Sequence, residues 1–161
     1  KMTFDGYIVD VQLYDDLRQN KLSKAQQDEK IAAVIADFKR DGDTKEVSYY
    51  GQGAFKVIWQ TNGDITRTKN VTFFRRNENM LSILYDEKES TITLQTKYIK
   101  KQDADRILAM GLNVQGVLRV KTDARIIKHN AQRVTKDGLT TIYGFRMTSL
   151  TDPSPRMQVA F

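Results

Sequence analysis

The chain contains no cysteine, which excludes disulfides, thiolate zinc sites and cysteine nucleophiles. It has a single histidine, His129, so a His-rich metal site or the usual imidazole acid–base pair is not expected. No run approaches the roughly 20 apolar residues that a membrane-spanning helix requires. Walker A, dinucleotide-binding glycine, nucleophile-elbow and zinc-spacing patterns are all missing. Gly51-Gln52-Gly53 is a short glycine pair that reads as a turn or bulge rather than a phosphate cradle. The carboxylate pairs Asp15-Asp16, Asp41/Asp43 and Glu87/Glu89 fall in expected loops and helix ends, where they read as turn and cap residues. His129 sits in Lys128-His129-Asn130 with no candidate serine beside it, and reads as a turn residue. Neither a cofactor nor a metal is expected, and the chain reads as non-enzymatic.

What remains is a basic chain of 161 residues, with 40% hydrophobic and 29% charged residues. That balance indicates a globular chain rather than a disordered one. The length suits one domain, which at this size buries about 70% of the surface its unfolded chain exposes. Residues 1–161 are therefore expected to form a single α+β domain. The net charge of +6 is unevenly placed. Residues 97–136 hold ten Lys or Arg against three Asp, whereas residues 1–96 hold 14 Lys or Arg against 15 Asp or Glu. A local basic field of this kind attracts nucleic acid, anionic lipid or an acidic protein. It is also compatible with a plain solvated surface.

Periodicity outlines the elements. Tyr7, Val9, Val11 and Leu13 alternate with polar residues, which predicts a half-buried strand over Gly6–Leu13. Ser23 with Gln26 forms a capping box, and Ile31, Val34, Ile35 and Phe38 follow as one apolar stripe. A helix over 23–41 is predicted, with Gly42 as a left-handed stop. Phe55, Val57 and Trp59 alternate as a strand, and Asn62-Gly63 is a hairpin signal. Strands are expected over Val71–Arg76, over Leu81–Tyr85 and over Ile92–Tyr98, with turns at Asn77-Glu78-Asn79 and Asp86–Ser90. A shorter helix over Gln102–Met110 is closed by Gly111. Further strands are expected over Leu118–Thr122, Arg125–Lys128, Tyr143–Met147 and Met157–Phe161, with a turn at Asp137-Gly138 and a rigid loop at Asp152-Pro153-Ser154-Pro155. The order argues α+β, with one curved antiparallel sheet and one long and one short helix packed against it. Such a sheet can enclose an apolar pocket against a helix.

The segment 116–148 runs Gly116-Val-Leu-Arg-Val-Lys-Thr-Asp-Ala-Arg-Ile-Ile-Lys-His-Asn-Ala131, then Asp137-Gly138, then Thr141-Ile-Tyr-Gly-Phe-Arg-Met-Thr148. It resembles the late strands of LppM-like bacterial lipoprotein domains, with Ala124, His129-Asn130, Gly138 and Phe145 in the matching places. Ala124 stands where glycine is usual in that family, and Phe145 where tryptophan is usual. The early part, with Asp5-Gly6 on a first strand and then a helix, fits in outline. The resemblance implies a secreted, membrane-anchored domain of the bacterial envelope that binds anionic glycolipids or phospholipids rather than catalysing a reaction. The chain begins at Lys1, as a processed product would, and an anchoring segment outside residues 1–161 is expected.

The resemblance supplies no ligand residues, so the candidate site rests on charge and strand parity. Arg119 and Lys121 leave one side of a strand, while Leu118 and Val120 take the other. Arg125 and Lys128 follow closely, and Lys97, Lys100 and Lys101 close the preceding strand. These seven form the expected basic, lipid-binding face. The expected partner is an anionic lipid or glycolipid at a membrane surface, with the acyl part in a pocket between sheet and helix. A second reading is a protein-interaction module of an envelope assembly. A nucleic-acid-binding domain is a third, prompted by Phe73-Phe74-Arg75-Arg76 and Tyr98-Ile99-Lys100-Lys101. Those aromatics keep core spacing, and no RNP-like sequence or basic helix accompanies them, so nucleic acid is not expected.

Overall fold

In the computed structural model, which describes residues 1–73, 81–96 and 99–161, the first strand is β1 (Met2–Val9). It ends earlier than alternation predicts. Asp10 accepts a hydrogen bond from the Leu13 backbone N–H at 2.9 Å and starts α1 (Val11–Arg18). The apolar residues at 11 and 13 fit a strand, but burial is set by the pair Leu13 and Asp16, three apart on one helical face. A capping residue therefore overrides a period-two pattern.

The long helix α2 (Lys24–Lys39) forms as the sequence predicts, with both halves of the Ser23–Gln26 capping box in place. Phe38 is buried, and Ile31, Val34 and Ile35 are half-buried. The helix does not end on a left-handed Gly42. Arg40 caps it in right-handed geometry, and Asp41 turns the chain by accepting the Asp43 N–H.

Next come β2 (Thr44–Gly51) and β3 (Ala54–Thr61). β3 lies between β1 and β2 in an antiparallel three-stranded sheet. Phe55, Val57 and Trp59 point to the α2 side, where Phe38 meets the Phe55 ring with centroids 6.1 Å apart. All three β3 side chains are essentially shut off from solvent, and this is the core of residues 1–63. Gly51-Gln52-Gly53 forms the β2–β3 hairpin, as the turn reading expects. Asn62-Gly63 makes no hairpin; Asp64 behind it caps the short α3 (Ile65–Thr68).

The structure groups residues 1–63 and 64–161 as two compact units, with the boundary beside that Asn-Gly pair. The class is α+β, with antiparallel sheets throughout. The expected single sheet is replaced by three, and the expected two helices by four, among the described residues.

The second unit contains β4 (Asn70–Phe73), β5 (Leu81–Asp86), β6 (Thr91–Gln95), α4 (Lys101–Ala109), β7 (Gly116–Thr122), β8 (Ile126–His129), β9 (Arg133–Asp137), β10 (Thr140–Met147) and β11 (Arg156–Ala160). One sheet runs β4-β5-β6-β11-β8 and the other β7-β10-β9. The meander β4-β5-β6, the helix closed by Gly111 and the Asp137-Gly138 turn all follow the sequence reading. The ends of the expected strands Val71–Arg76 and Ile92–Tyr98, and the turn at 77–79, lie outside the described residues. β11 stops at Ala160, and the exposed Phe161 lies edge-on to Tyr85.

Leu94, Met157 and Val159 from one sheet pack with Tyr143 and Phe145 from the other, and Ile83, Ile92, Leu118, Val120 and Ile126 surround them. The two sheets thus bury their inner faces against each other, as in a sandwich. The residues behind the family resemblance serve this packing. Phe145 is buried in the core, Ala124 packs against it, and Gly138 takes positive φ. His129 is the last residue of β8, paired with Met157, and not the turn residue expected; its Nδ1 accepts from the Ala131 N–H at 3.1 Å. Asn130 bonds Ser154 and Arg156, tying the end of β8 to the Pro loop.

Candidate functional site

Strand parity in the three-stranded sheet fixes which side chains reach solvent. On β10, Tyr143 and Phe145 face the core, so Ile142, Gly144 and Arg146 face outward. Directly paired residues share a face. Ile142 pairs with Lys121 and Thr135, Gly144 with Arg119 and Arg133, and Arg146 with Val117. The outer face of this sheet therefore carries Arg119, Lys121, Arg133 and Arg146. All four are exposed. Lys121 is bridged to Asp137 at 2.6 Å. Among the described residues, no carboxylate pairs with the three arginines.

The expected placement of Arg119 and Lys121, with Leu118 and Val120 toward the core, is what the structure shows. The remaining members of the predicted cluster are elsewhere. Lys128 belongs to β8, in the other sheet. A bulge opposite Gln158 and Val159 places Lys128 across from Gln158, on the side away from Met157. Lys128 thus lies on the opposite outer face of the sandwich from Arg119. Arg125 lies just before β8 and is exposed, its carbonyl accepting from the Ala160 N–H at 2.8 Å. Lys100 and Lys101 stand at the start of α4, where no side chain caps the helix. Lys97 lies outside the described residues, as do Phe74, Arg75, Arg76 and Tyr98.

Sequence reasoning missed Arg133 and Arg146 as members of the site. Arg146 pairs directly with Val117 and Arg119 with Gly144, so only the strand register brings the two arginines onto one face. Arg133 lies on β9, a strand whose residues are all exposed and whose only apolar member is Val134. No alternation marks it. The available signal was Asp137-Gly138: a hairpin turn requires a strand before it as well as after.

Beside the basic face, at the end of the β7–β10 pair, lies a cavity of about 250 Å³ lined by Gln115, Gly116, Val117, Arg146, Met147 and Thr148. It sits at strand ends and not between sheet and helix, where the sequence reading expected a pocket. Its rim is hydrogen-bonded. Asn113 donates to the Thr148 carbonyl and accepts from the Val114 and Leu150 N–H groups. Asp152 accepts from the Thr148 N–H and hydroxyl and from the Ser149 N–H, and these bonds hold its carboxyl below the ordinary range.

Four of the six carboxylates weighed in the sequence have side-chain partners. Asp15 bonds Arg18 and Gln19, Asp16 bonds Lys30 and Gln12, Asp41 accepts from Trp59 Nε1, and Glu87 bonds Lys69. Among the described residues no group of three His, Asp or Glu side chains is placed to hold a metal ion, and no helix is long and apolar enough to cross a membrane. No protein-family model, curated protein or solved structure matches this chain.

Proposed function

We propose that this chain is a non-enzymatic domain of the bacterial cell envelope that binds anionic lipid or glycolipid headgroups at a membrane surface. The observation that carries the reading is the outer face of β7-β10-β9, where Arg119, Arg133 and Arg146 stand exposed with no carboxylate partner among the described residues. A cation beside an anionic membrane contributes about 1 kcal/mol, so a cluster of three or four is enough for reversible attachment. The envelope location rests on the LppM-like resemblance of residues 116–148, and anchoring would come from a segment outside residues 1–161. The test is sedimentation with liposomes of defined composition. Vesicles rich in phosphatidylglycerol should carry the protein down, and neutral phosphatidylcholine vesicles should leave it in solution. Equal partition to both would overturn the reading.

A second reading is a protein-interaction module of an envelope assembly. It is favoured by β9, an edge strand exposed along its whole length, which could pair with a partner's strand.

A further inference from the structure

Gly144 occupies an interior position of the central strand of the three-stranded sheet. Glycine weakens a strand and usually has a local reason. The usual reasons do not apply here. Its φ is not positive, the β10 ladders run without a register shift on either side, and an added Cβ would meet only Arg133 atoms, at 3.5 and 3.6 Å. Those are ordinary contact distances, so the fold would accept a side chain. Close approach of a ligand is a further reason for a strand glycine.

The surroundings name the ligand's charge. Gly144 is paired with Arg119 on one side and Arg133 on the other. Their backbones stand two inter-strand spacings apart, about 10 Å, and the residue between them, Gly144, is half-buried and has no side chain. Arg146 lies two residues along the same strand on the same face, about 7 Å away. The acid on this face, Asp137, is engaged by Lys121 and leaves the arginines uncompensated. Planar guanidinium forks are suited to two-point contact with tetrahedral oxyanions.

We infer that Gly144 is the floor of a discrete seat for the phosphate group of a lipid headgroup, clamped by Arg119 and Arg133 and closed by Arg146. This rests on the lipid-binding reading and deepens it. The face recognises phosphate geometry and does not merely follow surface charge. A phosphomonoester, with more charge and more free oxygens than a diester, is the preferred form.

The experiment compares two vesicle sets of equal zeta potential, one containing phosphatidic acid and the other phosphatidylglycerol, with the whole 161-residue chain. The expected result is roughly tenfold tighter binding to the phosphatidic acid set. One variant tests the seat itself: Gly144→Val fills the position between the two arginines and changes no charge. It should abolish the preference while leaving phosphatidylglycerol binding in place, and an unchanged circular dichroism spectrum shows that the variant is folded. A preference kept by the folded variant overturns the seat. Equal binding to both sets by the natural chain overturns the seat and leaves the general lipid reading standing. Failure to bind either set, with no response of the Gly144 amide to inorganic phosphate, overturns both. A Gly144 amide signal that shifts with inorganic phosphate while vesicles are ignored overturns the lipid source.

Discussion

Gly53 and Gly138 both have positive φ, at 75° and 61°, but their surroundings differ. A Cβ on Gly53 would lie 2.8 Å from the Tyr14 backbone nitrogen, whereas one on Gly138 would meet nothing within 4 Å. Gly138→Ala should therefore cost only the left-handed penalty, about 1–2 kcal/mol. Gly53→Ala adds a backbone displacement, and its total should be about 2–4 kcal/mol. Urea unfolding of the two variants measures the difference, and equal losses would mean that α1 does not hold its close approach to the hairpin. Phe38 tests the other side of the same unit. It is buried against Phe55, so Phe38→Ala should cost about 3–5 kcal/mol. An unchanged unfolding midpoint would mean that the α2 stripe faces solvent. The Phe38 contact was legible because a period of 3.6 and a period of two each pointed an aromatic inward. The Gly53 contact was not, because it depends on a chain segment about 40 residues away.

Elements were readable in proportion to their local signals. α2 carries a capping box, an apolar stripe and a basic last turn, and it appears as expected. α1 has one capping aspartate and an apolar pattern that also fits a strand, so only the structure distinguishes the two. Its attachment to α2 makes a testable pH dependence. The buried Asp16 accepts from Lys30 at 2.7 Å and from Gln12 at 3.0 Å, and its carboxyl is held below the ordinary value of 3.8, chiefly by the Lys30 hydrogen bond. Because the folded pKa is the lower one, this contribution is complete above the unfolded value and is lost as pH falls through the folded one. Asp16→Asn should lower stability at neutral pH and flatten the decline as pH falls below about 4. Urea midpoints across that range measure it, and an unaltered acid decline would remove Asp16 as its source.

At the scale of the whole molecule, a flat membrane can meet only one outer face of a sandwich at a time. The outer face of β7-β10-β9 carries Arg119, Lys121, Arg133 and Arg146, while Lys128 lies on the other. Changing those four to Gln should abolish sedimentation with anionic vesicles. Changing Arg125 and Lys128 to Gln should leave most of it. The reverse ranking would place the contact on the β8 side. Binding by the natural chain should also fade between 0.1 and 1 M salt, as the Debye length contracts from about 10 Å to about 3 Å. The sequence by itself determined the α+β class, the long capped helix, the core parity of β3, β7 and β10, and the concentration of positive charge in residues 97–136. Each of these depends on neighbours within a few positions, or on composition, which a linear string retains. Only the tertiary structure decided how the charges are grouped. A bulge in β8 turned Lys128 to the far face, and two ladders on β10 set Arg119, Gly144 and Arg133 in one row. Those residues lie 11 to 25 positions apart in the chain, and strand register, which long-range core packing selects, is what makes them neighbours.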